Sequence, residues 1–290
     1  MEITMDKLIP LIVNGMMSFS TLLMVSLGMA IICGKMKLFN LAHGELVTVG
    51  AYVSYLMLNE LHQSFLVSIL VSFIATFVLG VIIEKIIIKP LYSRPEETLL
   101  ATFGLSLILQ EGMKFLFTSI GKSVSMPVKG SVTILGAIIP TYNVWVFGIT
   151  VLMFVLTILI FYLTSLGKKI RAIGQNRDMT ECLGVNTSFC DTFTFAYGCA
   201  LTGVAGSLLA PLKSITPTMG TSYLLDSFMT VCVGGADSFL GTVVASLGIG
   251  ESTSLIGGYT NSVLAKLLVF IVIIVLIRIR PEGIFVKEKR

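Results

Sequence analysis

The sequence predicts an all-α membrane protein that crosses the bilayer several times. Of its 290 residues, 55% are hydrophobic and 12% are charged, and the mean hydropathy is +0.94. A soluble domain carries about 25% charged residues, so a water-soluble fold is excluded. The apolar residues form runs of roughly 20, the length that a helix needs to cross the hydrocarbon core.

Most of these runs predict complete membrane-spanning helices, and one is interrupted. The interrupted run, 223–254, contains GGAD at 234–237 and predicts a broken (re-entrant) segment: a short helix, a turn and a longer helix. We expect Gly234, Gly235 and Asp237 to shape this turn, with Asp237 in the left-handed conformation. Small residues in the sixth run favour close helix packing within the chain. The complete spans are predicted at 8–33, 41–61, 65–88, 98–118, 144–165, 189–210 and 263–279.

The distribution of basic residues predicts the orientation of the spans. Lys and Arg are retained on the cytoplasmic side, and most of the 20 basic residues lie there if the C-terminus is cytoplasmic and the N-terminus external. They are scattered at span ends without a cluster or stripe, so the net charge of +4 does not indicate nucleic-acid binding. The long segment 119–143 is then expected on the outer surface.

The longest polar interruption of the chain is residues 167–186, GKKIRAIGQNRDMTECLGVN. Its basic character predicts a cytoplasmic loop inside a single membrane domain, 1–290. A short surface helix is predicted from about 176 to 183, with Asn176 as its N-cap. Charge alone leaves two readings open: a helix that a soluble partner grips, or an ordinary cytoplasmic loop.

The motif NLAHGE at 40–45 opens the second predicted span. Asn40 is predicted as a helix cap, and Glu45 falls in the first turn, where the helix dipole favours a negative charge. His43 and Glu45 are two residues apart and should point to different faces. The motif is either a structural cap or a polar part of a permeation path, because ionisable groups inside a membrane mark pathways.

Three further polar positions interrupt apolar runs. Gln110 is expected either to bind a small amide or to hydrogen-bond a neighbouring helix. Glu111 is expected to pair with Lys114, three residues along the same face. Asp226, near the predicted outer edge, is interpreted as a cap at the start of the short helix.

The sequence contains no motif for catalysis, phosphate binding or a metal centre. There is no Ser/His/Asp set and no Gly-rich phosphate loop, and His43 and His62 are the only histidines. Five cysteines, an odd number without C-x-x-C spacing, predict free thiols. We therefore expect a chain that is not an enzyme and binds no cofactor.

Three stretches resemble the permease subunits of ABC importers of the branched-chain amino acid class: NLAHGE followed by VGAY at 49–52, RAI at 171–173 through LGV at 183–185, and RPEGIF at 280–285. Relatives of that class usually have glycine at the position of Asp237.

The resemblance implies a bacterial inner-membrane importer with a second permease subunit, two cytoplasmic ATP-binding subunits and an external solute-binding protein. It makes 167–186 the ATPase-coupling loop, through Arg171, Gly174, Asn176, Arg177, Glu181, Leu183 and Gly184.

Within that class, the chain is more similar to the urea permease subunit. This similarity lies in ETLLATFG at 97–104 through Gln110, in QNRDM at 175–179 with Cys182, and in GTSYLLDSFM at 220–229. It implies transport of urea or a short amide, with branched-chain amino acids as the alternative cargo and a stand-alone channel or secondary transporter as a further alternative. The expected pathway residues are Asn40, His43, Glu45, Thr102, Ser106, Gln110 and Asp226.

Overall fold

The computed structural model describes residues 5–92, 94–134, 137–280 and 283–284, which form a bundle of helices with one small hairpin. Four helices continue into a π-helical turn, at Ile32–Met36, Leu56–Glu60, Glu84–Ile88 and Leu159–Leu163. The turn at Glu84–Ile88 is followed by a 3₁₀ turn, Lys89–Leu91. The elements are α1 (Met5–Ile31), α2 (His43–Tyr55), α3 (Phe65–Ile83), α4 (Pro95–Phe117), β1 (Ser131–Ile134), β2 (Ala137–Pro140), α5 (Thr141–Ile158), α6 (Ser165–Gln175), α7 (Arg177–Cys182), α8 (Thr187–Leu209), α9 (Gly220–Gly234), α10 (Phe239–Tyr259) and α11 (Ser262–Ile279).

The helical class and the broken segment are confirmed. Within the described ranges, seven helices are long and apolar enough to cross a membrane. Six of them end within a few residues of predicted complete spans, and the seventh, α10, corresponds to the longer helix of the broken segment. The predicted second span, 41–61, is helical from His43 to Glu60 but is not among these seven. Polar residues at both ends, His43 and Glu45 at the start and Asn59 and Glu60 at the close, make this helix less hydrophobic than the other spans.

Among the described residues, the expected outer segment 119–143 contains the one departure from an all-α fold. β1 pairs with β2 in an antiparallel hairpin, with Ser131 opposite Pro140. Lys122 also exchanges two backbone hydrogen bonds with Ile215, of 2.8 and 2.9 Å, in the connection between α8 and α9. The segment therefore covers that connection.

Helix α8 forms the centre of the bundle because its small residues let other helices approach. It is buried along most of its length and packs against α1, α2 and α3. A Cβ atom added to Gly206 would fall on the Val47 carbonyl of α2, and one added to Gly203 would fall on Thr76 of α3. The predicted packing within the chain is therefore confirmed.

Buried hydroxyl groups join the central helices to one another. Ser68 of α3 lies 2.8 Å from the Ser54 hydroxyl of α2 and 3.4 Å from the Ser207 hydroxyl of α8. The Tyr142 hydroxyl of α5 donates to the Leu208 carbonyl at 2.7 Å. Such interhelical bonds each contribute about 0.6 kcal/mol in a membrane protein, so together they help to specify which helix faces which.

The close approach of α2 and α8 gives a test of this packing. A Cβ atom at Gly50 would fall on the backbone carbonyl of Gly203, and neither backbone can move without disturbing the core. We expect Gly50→Ala to destabilise the protein by about 1–3 kcal/mol or more, which would lower the thermal unfolding temperature in detergent.

Gly104→Ala in α4 is the matched control, because an added Cβ there has no neighbour within 4 Å. The higher helix propensity of Ala should leave this variant as stable as the native chain or slightly more stable. Equal unfolding temperatures for the two variants would contradict the packing described for α8.

Candidate solute pathway and cytoplasmic loop

The segment 37–42 carries non-helical backbone into the bundle between α1 and α2. Lys37 has a left-handed backbone, with φ of 54°, and Leu38, Asn40 and Ala42 are buried. The chain then begins α2 at His43, whose Nε2 lies 3.2 Å from the Val25 carbonyl. Val25 lies eleven residues before the end of the π-helical turn at Met36, which is about 16 Å at 1.5 Å per residue, so α2 begins deep inside the bundle.

Two side chains accept backbone N–H groups of this partly buried segment. The Asn40 Oδ1 accepts the Ala42 N–H at 3.0 Å, and the Thr102 Oγ1 of α4 accepts the Leu41 N–H at 3.2 Å. The helix itself is preceded by Ala42 without a side-chain cap. The prediction that Asn40 caps the helix was therefore wrong, because its amide closes the preceding turn.

His43 and Glu45 point to different faces of α2, as predicted. His43 is fully buried, and its Nε2 also lies 3.1 Å from the Thr202 hydroxyl of α8. A carbonyl only accepts hydrogen bonds, so the contact with Val25 places the proton on Nε2. Within the described structure Nδ1 has no partner. Both contacts of this ring tie α2 to its helical neighbours.

Glu45 lies on the opposite side, between α2 and α4. Its Oε1 accepts the Gln110 Nε2–H at 2.8 Å and the Ser106 hydroxyl at 3.4 Å. Thr102, Ser106 and Gln110 are four residues apart and form the stripe of α4 that faces α2. Gln110 thus bonds a neighbouring helix, one of the two roles expected for it. Glu45 and Gln110 lie 65 positions apart in sequence, so sequence spacing did not reveal their pairing.

The first turn of α9 reaches the same place. A Cβ atom on Gly44 would meet the carbonyl of Gly220, and one on Gly220 would meet the carbonyl of Gly44. The Gly220 N–H donates to the Thr48 hydroxyl at 3.0 Å. Two helix N-termini, each with a positive dipole end, therefore meet beside Glu45.

Asp226 does not join this cluster. Helix α9 begins at Gly220, so Asp226 lies in its second turn and the prediction of a capping role was wrong. Its carboxylate instead pairs with Lys266 of α11 at 2.9 Å, in a cleft of about 840 Å³ that Tyr223 also lines. The predicted pair of Glu111 and Lys114 is confirmed at 2.6 Å, on the exposed side of α4.

The polar loop 167–186 folds into two helices. The predicted surface helix is α7, and Asn176 caps it as expected, with its Oδ1 accepting the Met179 N–H at 3.0 Å. Gly184 ends the helix with φ of 77°. Met179 and Leu183 are 63% and 77% exposed, so α7 presents apolar side chains on an otherwise polar surface.

Arg177 connects this loop to the bundle. Its guanidinium pairs with the buried Asp191 of α8 at 2.8 Å and with Glu181 at 3.2 Å, and it lies over the ring of Tyr92 at 5.4 Å. The Tyr92 hydroxyl donates to Glu84 at 2.6 Å. Burial and this bond raise the pKa of Tyr92 well above its ordinary value, so the hydroxyl remains a donor.

Two further residues of the loop, Arg171 and Gly174, contact the π-helical turns that follow α5 and α1. The guanidinium of Arg171 lies over the ring of Tyr162 at 5.3 Å and bonds the Phe161 carbonyl. A Cβ atom on Gly174 would meet the Lys35 carbonyl at 3.7 Å. The C-terminal part of α6 therefore lies beside the end of the first helix.

The broken-helix turn lies at this same end of the bundle. Gly235 has a positive φ of 88° and Asp237 does not, so the prediction of a left-handed conformation at Asp237 was wrong. The Asp237 carbonyl lies 3.5 Å from Lys35 Nζ. The Ile284 N–H donates to the Val233 carbonyl at 2.9 Å, which joins the C-terminal motif to the turn. The remaining motif residues Pro281, Glu282 and Phe285 lie outside the described residues.

A family model described as "branched-chain amino acid transport system / permease component" matches residues 11–277. The chain belongs to this permease family. The permease is 28% identical over 289 residues to the high-affinity branched-chain amino acid transport system permease protein LivH of Salmonella typhimurium, and 93% of each chain is covered. It is 27% identical over 288 residues to the corresponding protein BraD of Pseudomonas aeruginosa, with 94% of each covered. No solved structure gives a significant match.

A shorter similarity extends to a sugar importer. Over 92 residues the permease is 35% identical to the ribose import permease protein RbsC of Haemophilus influenzae, which covers 29% of this chain and 28% of that one. The relatives with full-length matches are named for branched-chain amino acids. They support an ABC importer permease of the branched-chain amino acid type, and they favour the alternative cargo over urea.

No metal cluster or disulfide takes part in these sites in the part of the permease that the structure describes. It contains no group of three or more His, Cys, Asp or Glu side chains placed to bind a metal ion. All five cysteines are free thiols.

Removing the Arg177 side chain tests its role as a structural connection. In Arg177→Ala the buried Asp191 carboxylate loses its cation, and we expect a loss of up to about 3 kcal/mol because the guanidinium is partly exposed. Thermal unfolding of the purified permease measures the loss. Arg94→Ala, which breaks the exposed pair with Glu97, should cost less than about 1 kcal/mol. Equal losses in the two variants would contradict the connection.

Proposed function

We propose that this chain is the membrane subunit of an importer for branched-chain amino acids in a bacterial inner membrane. It would work with a second permease subunit, two cytoplasmic ATP-binding subunits and an external solute-binding protein. The observation that carries the proposal is the family match over 11–277. Relatives named as branched-chain amino acid transport permeases also align over more than nine-tenths of both chains.

Urea is the second cargo that we consider, because particular stretches of the chain favour it. The residues 97–104, 175–179 and 220–229 resemble the urea permease subunit. One of these stretches leads to Gln110 and another begins α9, so both reach the Glu45 cluster. An amide beside a carboxylate suits a small, flat solute with several N–H groups.

The proposed coupling site is the surface of α6 and α7. These helices, the end of α1 and the broken-helix turn lie at one end of the bundle, and the basic residues of the loop favour the cytoplasm for that end and for the C-terminus. Exposed Met179 and Leu183 would contact the ATP-binding subunit. The ion pair of Arg177 with Asp191 would transmit movement of α7 to α8.

Uptake measurements distinguish the two cargoes. We expect cells that express this chain with its partner subunits to accumulate labelled leucine from low micromolar solution, and a deletion of the chain to abolish this uptake. Loss of urea uptake alone on deletion would establish the second cargo and overturn the first. Persistence of both activities after deletion would contradict an importer role for either solute.

The coupling site is tested by changing the exposed side chain of Leu183. Leu183→Glu introduces a charge into the proposed contact with the ATP-binding subunit, so we expect uptake to fall at least about tenfold, the loss typical of a disrupted interface anchor. Thermal stability should be unchanged because the side chain touches little of the bundle. Arg94→Ala, at the exposed start of α4 and outside the proposed contact, is the control and should transport normally. A stand-alone channel would tolerate both changes.

A further inference from the structure

We propose that Glu45, with Gln110, is the site that receives the N–H groups of the transported solute. The inference rests on the proposed function and names the solute chemistry and the residues within it. Glu45 is 2% exposed, and its Oε1 is already bonded by Gln110 and Ser106. Its other oxygen, Oε2, is buried and has no hydrogen-bond partner in the described structure.

An unpaired carboxylate oxygen in this position needs a partner. A buried acceptor without a hydrogen bond costs roughly 1–3 kcal/mol, and more when it belongs to a charged group. The Thr48 and Thr221 side chains lie within hydrogen-bonding reach of the same carboxyl group, but neither makes a bond of normal geometry to Oε2. An N–H group of a solute would supply the missing bond, and the carboxylate would make that bond charge-assisted.

The two helix starts around Glu45 favour a negative charge on its side chain. The carboxylate lies in the first turn of α2, and α9 begins at the contact between Gly44 and Gly220. Both helix dipoles therefore present their positive ends to it. No Lys or Arg is paired with Glu45 among the described ion pairs, whereas Asp226 has Lys266 and Asp191 has Arg177.

The proposed approach of the solute to this carboxylate is along α4. Gln110 is half-buried and Thr221 is exposed, so the cluster lies just beneath the surface where α4 and α9 face outward. The neighbouring Leu107 is 47% exposed and offers apolar surface beside the polar group. An aliphatic amino acid carries an ammonium group next to an apolar side chain, and urea carries four N–H bonds on a neutral core.

The two solutes share the N–H chemistry but differ in charge, and a Glu45→Gln variant separates them. Gln has nearly the same shape as Glu and keeps an acceptor oxygen, but it loses the negative charge. An ammonium group should therefore lose the larger part of its binding, whereas a neutral amide should retain more of it. A charge-assisted hydrogen bond corresponds to about a tenfold or larger change in rate.

The experiment measures the maximal uptake of labelled leucine and labelled urea by the complete importer, divided by the amount of the chain in the membrane. ATP hydrolysis and thermal stability are recorded for the same preparations. Glu111→Gln is the matched control, because Glu111 follows Gln110 on α4 but faces the surface and pairs with Lys114. We expect Glu45→Gln to lower uptake at least about tenfold for leucine, and by less for urea, with stability and Glu111→Gln unchanged.

The outcomes are distinct. If the wild-type importer takes up one of the solutes and Glu45→Gln transports that solute at the normal rate, this site is overturned. The proposed function is then still supported. A fall in uptake that only matches a fall in folded protein also overturns the site, because it shows a structural role. Absence of wild-type uptake for both solutes overturns the proposed function and this site together. A selective fall at normal stability supports the site.

Discussion

The structure depends on the need to satisfy polar backbone groups where helices begin and end inside a membrane protein. Water is not available there, so protein groups must supply every bond. The segment 37–42 meets this need with the side chains of Asn40 and Thr102, and the start of α9 meets it with Thr48. The bonds of Thr102 and Thr48 join separate helices, so satisfying the backbone at these points also fixes which helices meet.

Close backbone contact is the second part of the same constraint. Gly44 and Gly220 let two helix starts approach until a Cβ atom would overlap a carbonyl. Their dipoles would repel each other without a nearby negative charge, and Glu45 supplies that charge. The polar stripe of α4 then packs on this carboxylate, although the rest of α4 is largely exposed. The residues that build the fold here are therefore also those that we propose to bind the solute.

The sequence predicted the helices well, because apolar runs and basic span ends are local signals. It also predicted the cap of α7 at Asn176, which depends on neighbours three residues away. The pairs of Glu45 with Gln110, Arg177 with Asp191 and Asp226 with Lys266 were not predicted, because they depend on how separate helices are arranged. Asn40 and Asp226 were misassigned for the same reason: a residue near a helix start was interpreted as its cap.

The proposed coupling loop and the proposed solute site lie at different levels of the bundle, and α8 connects them. One end of α8 carries Asp191, which is held by Arg177 of α7, and further along α8 Thr202 contacts His43, two residues before Glu45. The glycines of α8 lie directly on α2 and α3, and close-packed helices transmit strain because they do not deform locally. A displacement of α7 would therefore move α8 as a body and reach the first turn of α2, which makes rigid-body motion the mode of coupling that this packing favours.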